Sequence, residues 1–297
     1  KELMQFAGWD AVLAGIWRIR MQGSQLILNW GFGTAVNAAN SIALQASNYQ
    51  NAVAMSILRA TQPAIISRYS QGDLATTRRL VQTCSKYMLY AQMGLLIPLA
   101  FEGATILRLW LGKDVEHAPL IVFLTATWIA LNHLTSGQQI VTYATGNLRK
   151  FSLAMLGLEF VLFAAAALWI FKFEGPVWSL AALTVVVTFV GNFVRAAVAG
   201  PSLHMPVMEW VRETVWPVTL VAMVAACAGA VVHFTMPAST FRLLVLVAVT
   251  GIVLAPSVWL LGMESWERDQ FRRVGAKIWS LLLGRFHASD KSPQTGP

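Results

Sequence analysis

The sequence predicts an all-α integral membrane protein of about eight transmembrane helices, and three observations carry that reading. Of its 297 residues, 56% are hydrophobic and only 12% are charged, against about 25% charged in ordinary soluble domains. The mean hydropathy is +0.57, and so large an apolar excess must face lipid, because a soluble chain needs polar residues to cover its core. The apolar residues also cluster into runs near the roughly 20 residues that a bilayer core requires.

The runs cover residues 8–30, 35–60, 86–108, 119–145, 151–171, 177–199, 217–235 and 240–262. The first two carry several polar residues, and the last six are plain apolar helices. Turn residues separate them: Gly31 and Gly33, then Pro63 with Gly72-Asp73, then Gly112 to Pro119. Further on come Gly146-Asn147, Gly175-Pro176, Gly200-Pro201 and Met236-Pro237. Asp73 is placed to cap the helix that follows it.

Orientation follows from the excess of Lys and Arg in cytoplasmic loops. Arg68, Arg78, Arg79, Lys86, Arg149, Lys150, Arg195 and Arg212 fall in one set of loops, joined by Arg268, Arg272, Arg273, Lys277 and Arg285 of the tail. The other set has Arg108, Lys113, Lys172 and Arg242. The bias is consistent only with eight spans and both ends in the cytoplasm. Tryptophans fit the same map. Trp30, Trp110, Trp169 and Trp178 lie near outer span ends, and Trp9, Trp210, Trp216, Trp259 and Trp266 near inner ends, as expected of aromatic belts.

Residues 264–286 read as an amphipathic helix, with Phe271, Val274, Ile278, Leu281 and Leu282 on one face and five basic residues beside them. Such a helix lies on an anionic membrane surface. Ala288 to Pro297 reads as a disordered tail. The net charge of +8 and pI of about 9.9 therefore point to lipid headgroups and not to nucleic acid. The chain starts at Lys1 without a cleavable signal peptide, and is expected to be part of something longer.

No catalytic constellation is visible. Cys84 and Cys227 are far apart in apolar surroundings and read as small apolar side chains. His117, His133, His204, His233 and His287 have no metal-ligand spacing, and Gly31-Phe32-Gly33 lacks the rest of a phosphate loop. No metal, cofactor or enzymatic activity is expected.

The informative residues are polar ones at membrane depth, where charges are costly and usually face a bundle interior or a wet cavity. Arg18, Gln22, Gln25 and Asn29 are spaced to share about one-sixth of a helix circumference. Asn37, Asn40, Ser41, Asn48, Asn51 and Arg59 share a face in the second span, and Asn132, Ser136, Gln139 and Tyr143 in the fourth. Lipid cannot satisfy such stripes, so they are expected to converge on a water- or ligand-filled space. For the fourth stripe, hydrogen bonding between helices is an equal alternative. The Arg18 fork of donors suits a diphosphate, with Arg59 a second contact, while Arg20 lies on another face and could snorkel or pair with Asp10. Among acids, Glu159 sits alone in an apolar helix and could carry a proton or pair with a cation, or else form an ion pair with one of the arginines. Glu102 follows the helix-bending Pro98 near the outer surface, and Asp10 lies near the cytoplasmic boundary.

Several short stretches resemble the polysaccharide-transporter branch of the multidrug/oligosaccharidyl-lipid/polysaccharide (MATE-like) exporter superfamily, which includes the O-antigen (Wzx-type) flippases. They are Asn37-Ala38-Ala39-Asn40, Pro63-Ala64-Ile65-Ile66-Ser67 with Gly72-Asp73, Ile106 to Gly112 with its Leu-Trp-Leu-Gly end, and Ala144-Thr145-Gly146 followed by Glu159. The resemblance covers about residues 5–200. It implies a C-lobe-like six-helix transmembrane bundle at 1–200, two additional helices at 201–262 and a cytoplasmic helix and tail at 263–297, with the N-terminal lobe missing. It implies flipping of undecaprenyl-diphosphate-linked oligosaccharide across a bacterial inner membrane, by alternating access through a cationic cavity.

On that reading Arg18, Gln22, Gln25, Asn48, Asn51, Arg59, Asn132 and Gln139 contact substrate, and Glu159 and Asp10 couple an ion. The partners would be the lipid-linked oligosaccharide, membrane lipids, the missing lobe and a polysaccharide polymerase or glycosyltransferases. The alternatives are a cation-coupled drug exporter, which should favour acids in the cavity, a membrane-embedded glycan transferase, which should carry a large soluble loop, and a scaffold without transport.

Overall fold

The computed structural model describes residues 2–146 and 148–273. Among them there are helices and connecting turns and no strand. Helix α1 spans Glu2–Phe32, α2 Thr34–Ser70, α3 Leu74–Leu111, α4 Ala118–Asn132 and α5 Ser136–Ala144. Then come α6 Arg149–Ala167, α7 Ser179–Leu203, α8 Val207–Trp210, α9 Trp216–Thr235 and α10 Thr240–Ser257. A last helical stretch covers 265–273. The remaining residues of the expected amphipathic helix, with the tail, lie outside the described residues.

Six helical segments are long and apolar enough to cross a membrane: Leu74–Leu111, Ala118–Ala144, Arg149–Lys172, Ser179–Leu203, Val207–Thr235 and Thr240–Gly262. The chain is a multi-pass helical membrane protein. Helices α1 and α2, of 31 and 37 residues, have ample length, but polar residues along them set them apart from the six.

Turn chemistry places most of the boundaries. Gly33, at φ 79°, alone separates α1 from α2. Gly72 and Gly112 adopt the same left-handed region, which costs glycine nothing. Asp73 caps α3, its side chain accepting from the Thr76 backbone N–H at 3.1 Å. The Thr76 hydroxyl and N–H hold the Asp73 carboxyl below the usual carboxylate range. Pro63 does not end the second helix as expected, because α2 continues to Ser70. A proline removes one intrahelical bond, and this one falls on an exposed stretch beyond the expected span. Pro98 does bend α3, with non-helical angles at Glu102 (φ −121°, ψ 21°).

In the assembly α2 packs on α3 and α4, α7 on α4 and α6, and α1 on α6 and α2. The α9–α10 hairpin lies against α3, where Val218, Val221 and Ala225 join Met88, Leu89 and Met93 in the largest buried cluster. Gly137 of α5 lets that helix touch α3: a Cβ there would sit 2.4 Å from the Val81 carbonyl oxygen. Small residues at such crossings let membrane helices approach closely.

Ionic contacts fix the hairpin to α3 at both ends. At one end the buried Glu102 carboxylate accepts from His233 Nδ1 at 2.8 Å and from Arg242 at 3.0 Å. The same guanidinium donates to the His233 and Met236 carbonyls that end α9. At the other end Lys86 Nζ, fully buried, lies 2.9 Å from Glu267 and 3.4 Å from Glu264. Glu267 also accepts from the Thr83 hydroxyl and from the Glu264 backbone N–H.

Two sequence expectations are corrected here. Lys86 is not a loop cation but the buried half of an ion pair, because Glu267 folds back onto it. Trp210 is not an interfacial belt residue: it is 2% exposed and its indole N–H donates to the Leu134 carbonyl at 3.1 Å. Trp30, Trp110, Trp169, Trp178 and Trp216 are exposed, as belt residues should be.

Removing one member of a buried ion pair typically costs roughly 3–5 kcal/mol, whereas replacing both by apolar residues is often neutral. Lys86→Ala is therefore expected to lower the thermal unfolding midpoint of the purified protein strongly. The double change Lys86→Met with Glu267→Leu should recover most of the loss.

Candidate functional site

The fourth predicted span is broken in mid-course. A 3-10 turn, His133–Thr135, interrupts it between α4 and α5. The run Asn132 to Gly137 is mostly polar and ends in glycine, which weakens regular helix here. Neighbouring side chains satisfy the carbonyls at the break. Asn192 of α7 donates to Leu131 O at 2.9 Å, Trp210 to Leu134 O, and Asn132 to Trp128 O at 3.0 Å. Irregular backbone at membrane depth persists only where protein groups or a wet cavity take up its polar atoms, and short 3-10 stretches within helices often mark hinges.

A polar network radiates from this break. His133 contacts Asn51 Oδ1 of α2 through Nε2 at 2.9 Å, and Ser136 Oγ through Nδ1 at 3.0 Å. Thr135 donates to Asn192 Oδ1 at 3.0 Å. Asn132 Oδ1 accepts from Arg195 of α7 at 2.9 Å, and Arg195 Nε also contacts Met155 Sδ at 3.2 Å. Gln50 and Gln92, both buried, pair at 3.2 Å between α2 and α3. Beside this network, Arg20 of α1 forms an ion pair with Glu159 of α6. The Arg20 guanidinium lies 4.5 Å from the centre of the Trp128 ring.

Arg18 and Arg20 thus have opposite surroundings although two residues apart. On α1 the inward row is Leu13, Ile16, Arg20, Gly23 and Ile27. Arg18, Gln22, Gln25 and Asn29 each lie two positions beyond a member of that row, about 200° around the helix, and all four are exposed. On α2, Ser41, Asn48 and Arg59 are exposed, while Asn37, Asn40 and Asn51 are half-buried on the flank of its packed face. Gln139 is exposed on α5, and Tyr143 one turn later interacts with Gln139 and with Asp10 of α1.

The three stripes therefore do not enclose one chamber within the described residues. The fourth-span stripe is divided. Asn132 and Ser136 are spent on contacts inside the bundle, and Gln139 and Tyr143 lie toward the Asp10 end of α1. Asn51 joins the first of these groups through His133. Arg18, Gln22, Gln25, Asn48 and Arg59 remain on faces that no described helix covers. Arg20 is corrected from a snorkelling side chain or Asp10 partner to the partner of Glu159. Arg195 is corrected from a loop cation to a half-buried guanidinium inside α7, held by the amide of Asn132. The i,i+3 pair Asn192 and Arg195 within an apolar helix was the available signal for that network.

No group of three or more His, Cys, Asp or Glu that could hold a metal occurs among the described residues. Comparison with known protein families, curated proteins and solved structures finds no match to this chain.

Proposed function

We propose that this chain is one lobe of a transporter that flips undecaprenyl-diphosphate-linked oligosaccharide across a bacterial inner membrane, working through an aqueous, cationic cavity closed by a second lobe. The observation that carries the reading is the uncovered row Arg18, Gln22, Gln25 and Asn29 along α1, beside Asn48 and Arg59 of α2. A guanidinium facing acyl chains at span depth costs several kcal/mol. A hydrated cavity removes that cost, and α1 and α2 then count as two further spans, making eight. The amides hydrate the sugar, the arginines hold the diphosphate through charge-assisted bonds, and the lipid tail stays in the bilayer. No bond is made or broken.

Asp and Glu are missing from the exposed rows of α1 and α2, which favours an anionic cargo over the organic cation of a drug exporter. The connections between described helices are short, which disfavours a membrane-embedded transferase with a soluble domain. The tail arginines with Arg68, Arg78 and Arg79 support a cytoplasmic location for both ends of the chain on this reading. The 3-10 break between α4 and α5 supplies a hinge for alternating access. Glu159 is the coupling residue: its protonation would release Arg20 and loosen α1 from α6, with Asp10 and Tyr143 tying the cytoplasmic end of α1 to α5.

In the complete protein, Arg18→Ala is expected to abolish surface polysaccharide while membrane levels of the protein stay unchanged. Wild-type polymer in that variant would remove Arg18 as the diphosphate contact. Glu159→Gln is expected to flatten the pH or sodium dependence of flipping in reconstituted vesicles, and an unaltered response to both would eliminate it as the coupling group.

A further inference from the structure

A small cavity of about 40 Å³ lies between α1, α2, α4 and α7, lined by Arg20, Ser24, Asn40, Thr125, Trp128 and Thr184 among others. Arg20 is 6% exposed. One of its terminal nitrogens serves Glu159, and the other, Nη2, is buried with no protein partner. The indole N–H of Trp128, a residue 4% exposed, is likewise buried and unpartnered. Two strong donors thus go unused in residues that line one space, and unmade hydrogen bonds of this kind are costly inside a protein.

Charge gives a second, independent argument. Arg20 and Arg195 both act electrostatically on Glu159 and on each other. Among the described residues, the side chain that Arg195 reaches through its terminal nitrogens is a neutral amide. The cluster therefore holds two guanidinium groups against one carboxylate, and no Asp or Glu lines the cavity. The other buried charges among the described residues are balanced: Lys86 by Glu267, and Glu102 by Arg242. An excess positive charge at this depth calls for a counter-charge.

We propose that this cavity is a binding site for a small inorganic anion of chloride size, held by Arg20 Nη2 and the Trp128 indole N–H. Its volume matches roughly two to four water-sized spheres, which suits a halide with a water and not a lipid phosphate with its glycerol. The hydroxyls of Ser24, Thr125 and Thr184 and the Asn40 amide complete a lining that can turn donors toward an anion. The bound ion balances the cluster and braces α1 and α4 on either side of it. The site lies behind the exposed Arg18 row and does not depend on what the protein transports.

The test is thermal unfolding of the purified full chain in chloride against gluconate at matched ionic strength, joined to bromide quenching of tryptophan fluorescence. Chloride is expected to raise the midpoint saturably by about 2–4 °C. Bromide is expected to quench a component of the emission that Trp128→Phe lacks. Arg20→Met combined with Glu159→Leu, which removes the Nη2 donor together with the ion pair it belongs to, should unfold at the same temperature in both salts. A wild-type midpoint equal in chloride and gluconate would overturn the site. So would a chloride effect that survives in the double variant, or identical bromide quenching in wild type and Trp128→Phe. Should the double variant fail to fold, the Trp128→Phe comparison decides alone.

Discussion

A charged group at membrane depth must meet either an opposite charge or water, and most of this structure can be derived from how each one does so. Glu102 meets Arg242 and His233 toward the C-terminal end of α3. Lys86 meets Glu267 toward its other end, and Arg20 meets Glu159 between α1 and α6. Each pair joins helices that apolar contact alone would leave free to slide, because lipid tails compete with side chains for the same surface. The hairpin α9–α10 is thus pinned at two points along one long helix, while α1 is pinned to α6 at one.

Among the described residues Arg18 and Arg59 find no opposite charge, and Arg195 meets only the amide of Asn132 through its terminal nitrogens. The neighbours of Arg18 and Arg59 on the same exposed surfaces are amides and not carboxylates. An exposed row of one guanidinium and three amides, with the Arg20–Glu159 ion pair on the other side of the same helix, divides α1 into a face that packs on the bundle and a polar face left exposed. The polar break between α4 and α5 adds a bend point, and its carbonyls are held by Asn132 of α4 itself and by side chains from two other segments, Asn192 of α7 and Trp210 of α8.

Much of the helical framework was legible in the sequence, for a clear reason. Apolar runs, glycines with positive φ at Gly33, Gly72 and Gly112, and the Asp73 cap are local signals. The polar stripe on α1 was also legible as a periodicity, and all four of its residues lie on one exposed face. Long-range pairing was not legible. Lys86 sits near an expected span end and looks like a loop cation until Glu267, far along the chain, folds back onto it. Arg195 looked like a cytoplasmic charge because a helix can run past the residue where its apolar stretch thins. Arg20 was read as snorkelling or pairing with Asp10, whereas its partner is Glu159 on α6, whose ion pair with one of the arginines was the other reading of that acid. For Lys86, Arg195 and Arg20 a pairwise contact across helices overrode a reading made along one. Pro63 failed as a stop signal for a local reason, because a proline near an exposed helix end costs little.

Solvent accessibility along α1 in the membrane tests the central claim most directly. In the complete protein lacking Cys84 and Cys227, single cysteines at positions 18, 22, 25 and 29 are expected to react with a membrane-impermeant maleimide, while cysteines at 16, 20 and 27 stay protected. A row of four equally unreactive positions, matching the protected ones, would mean that this face is dry and would contradict the account.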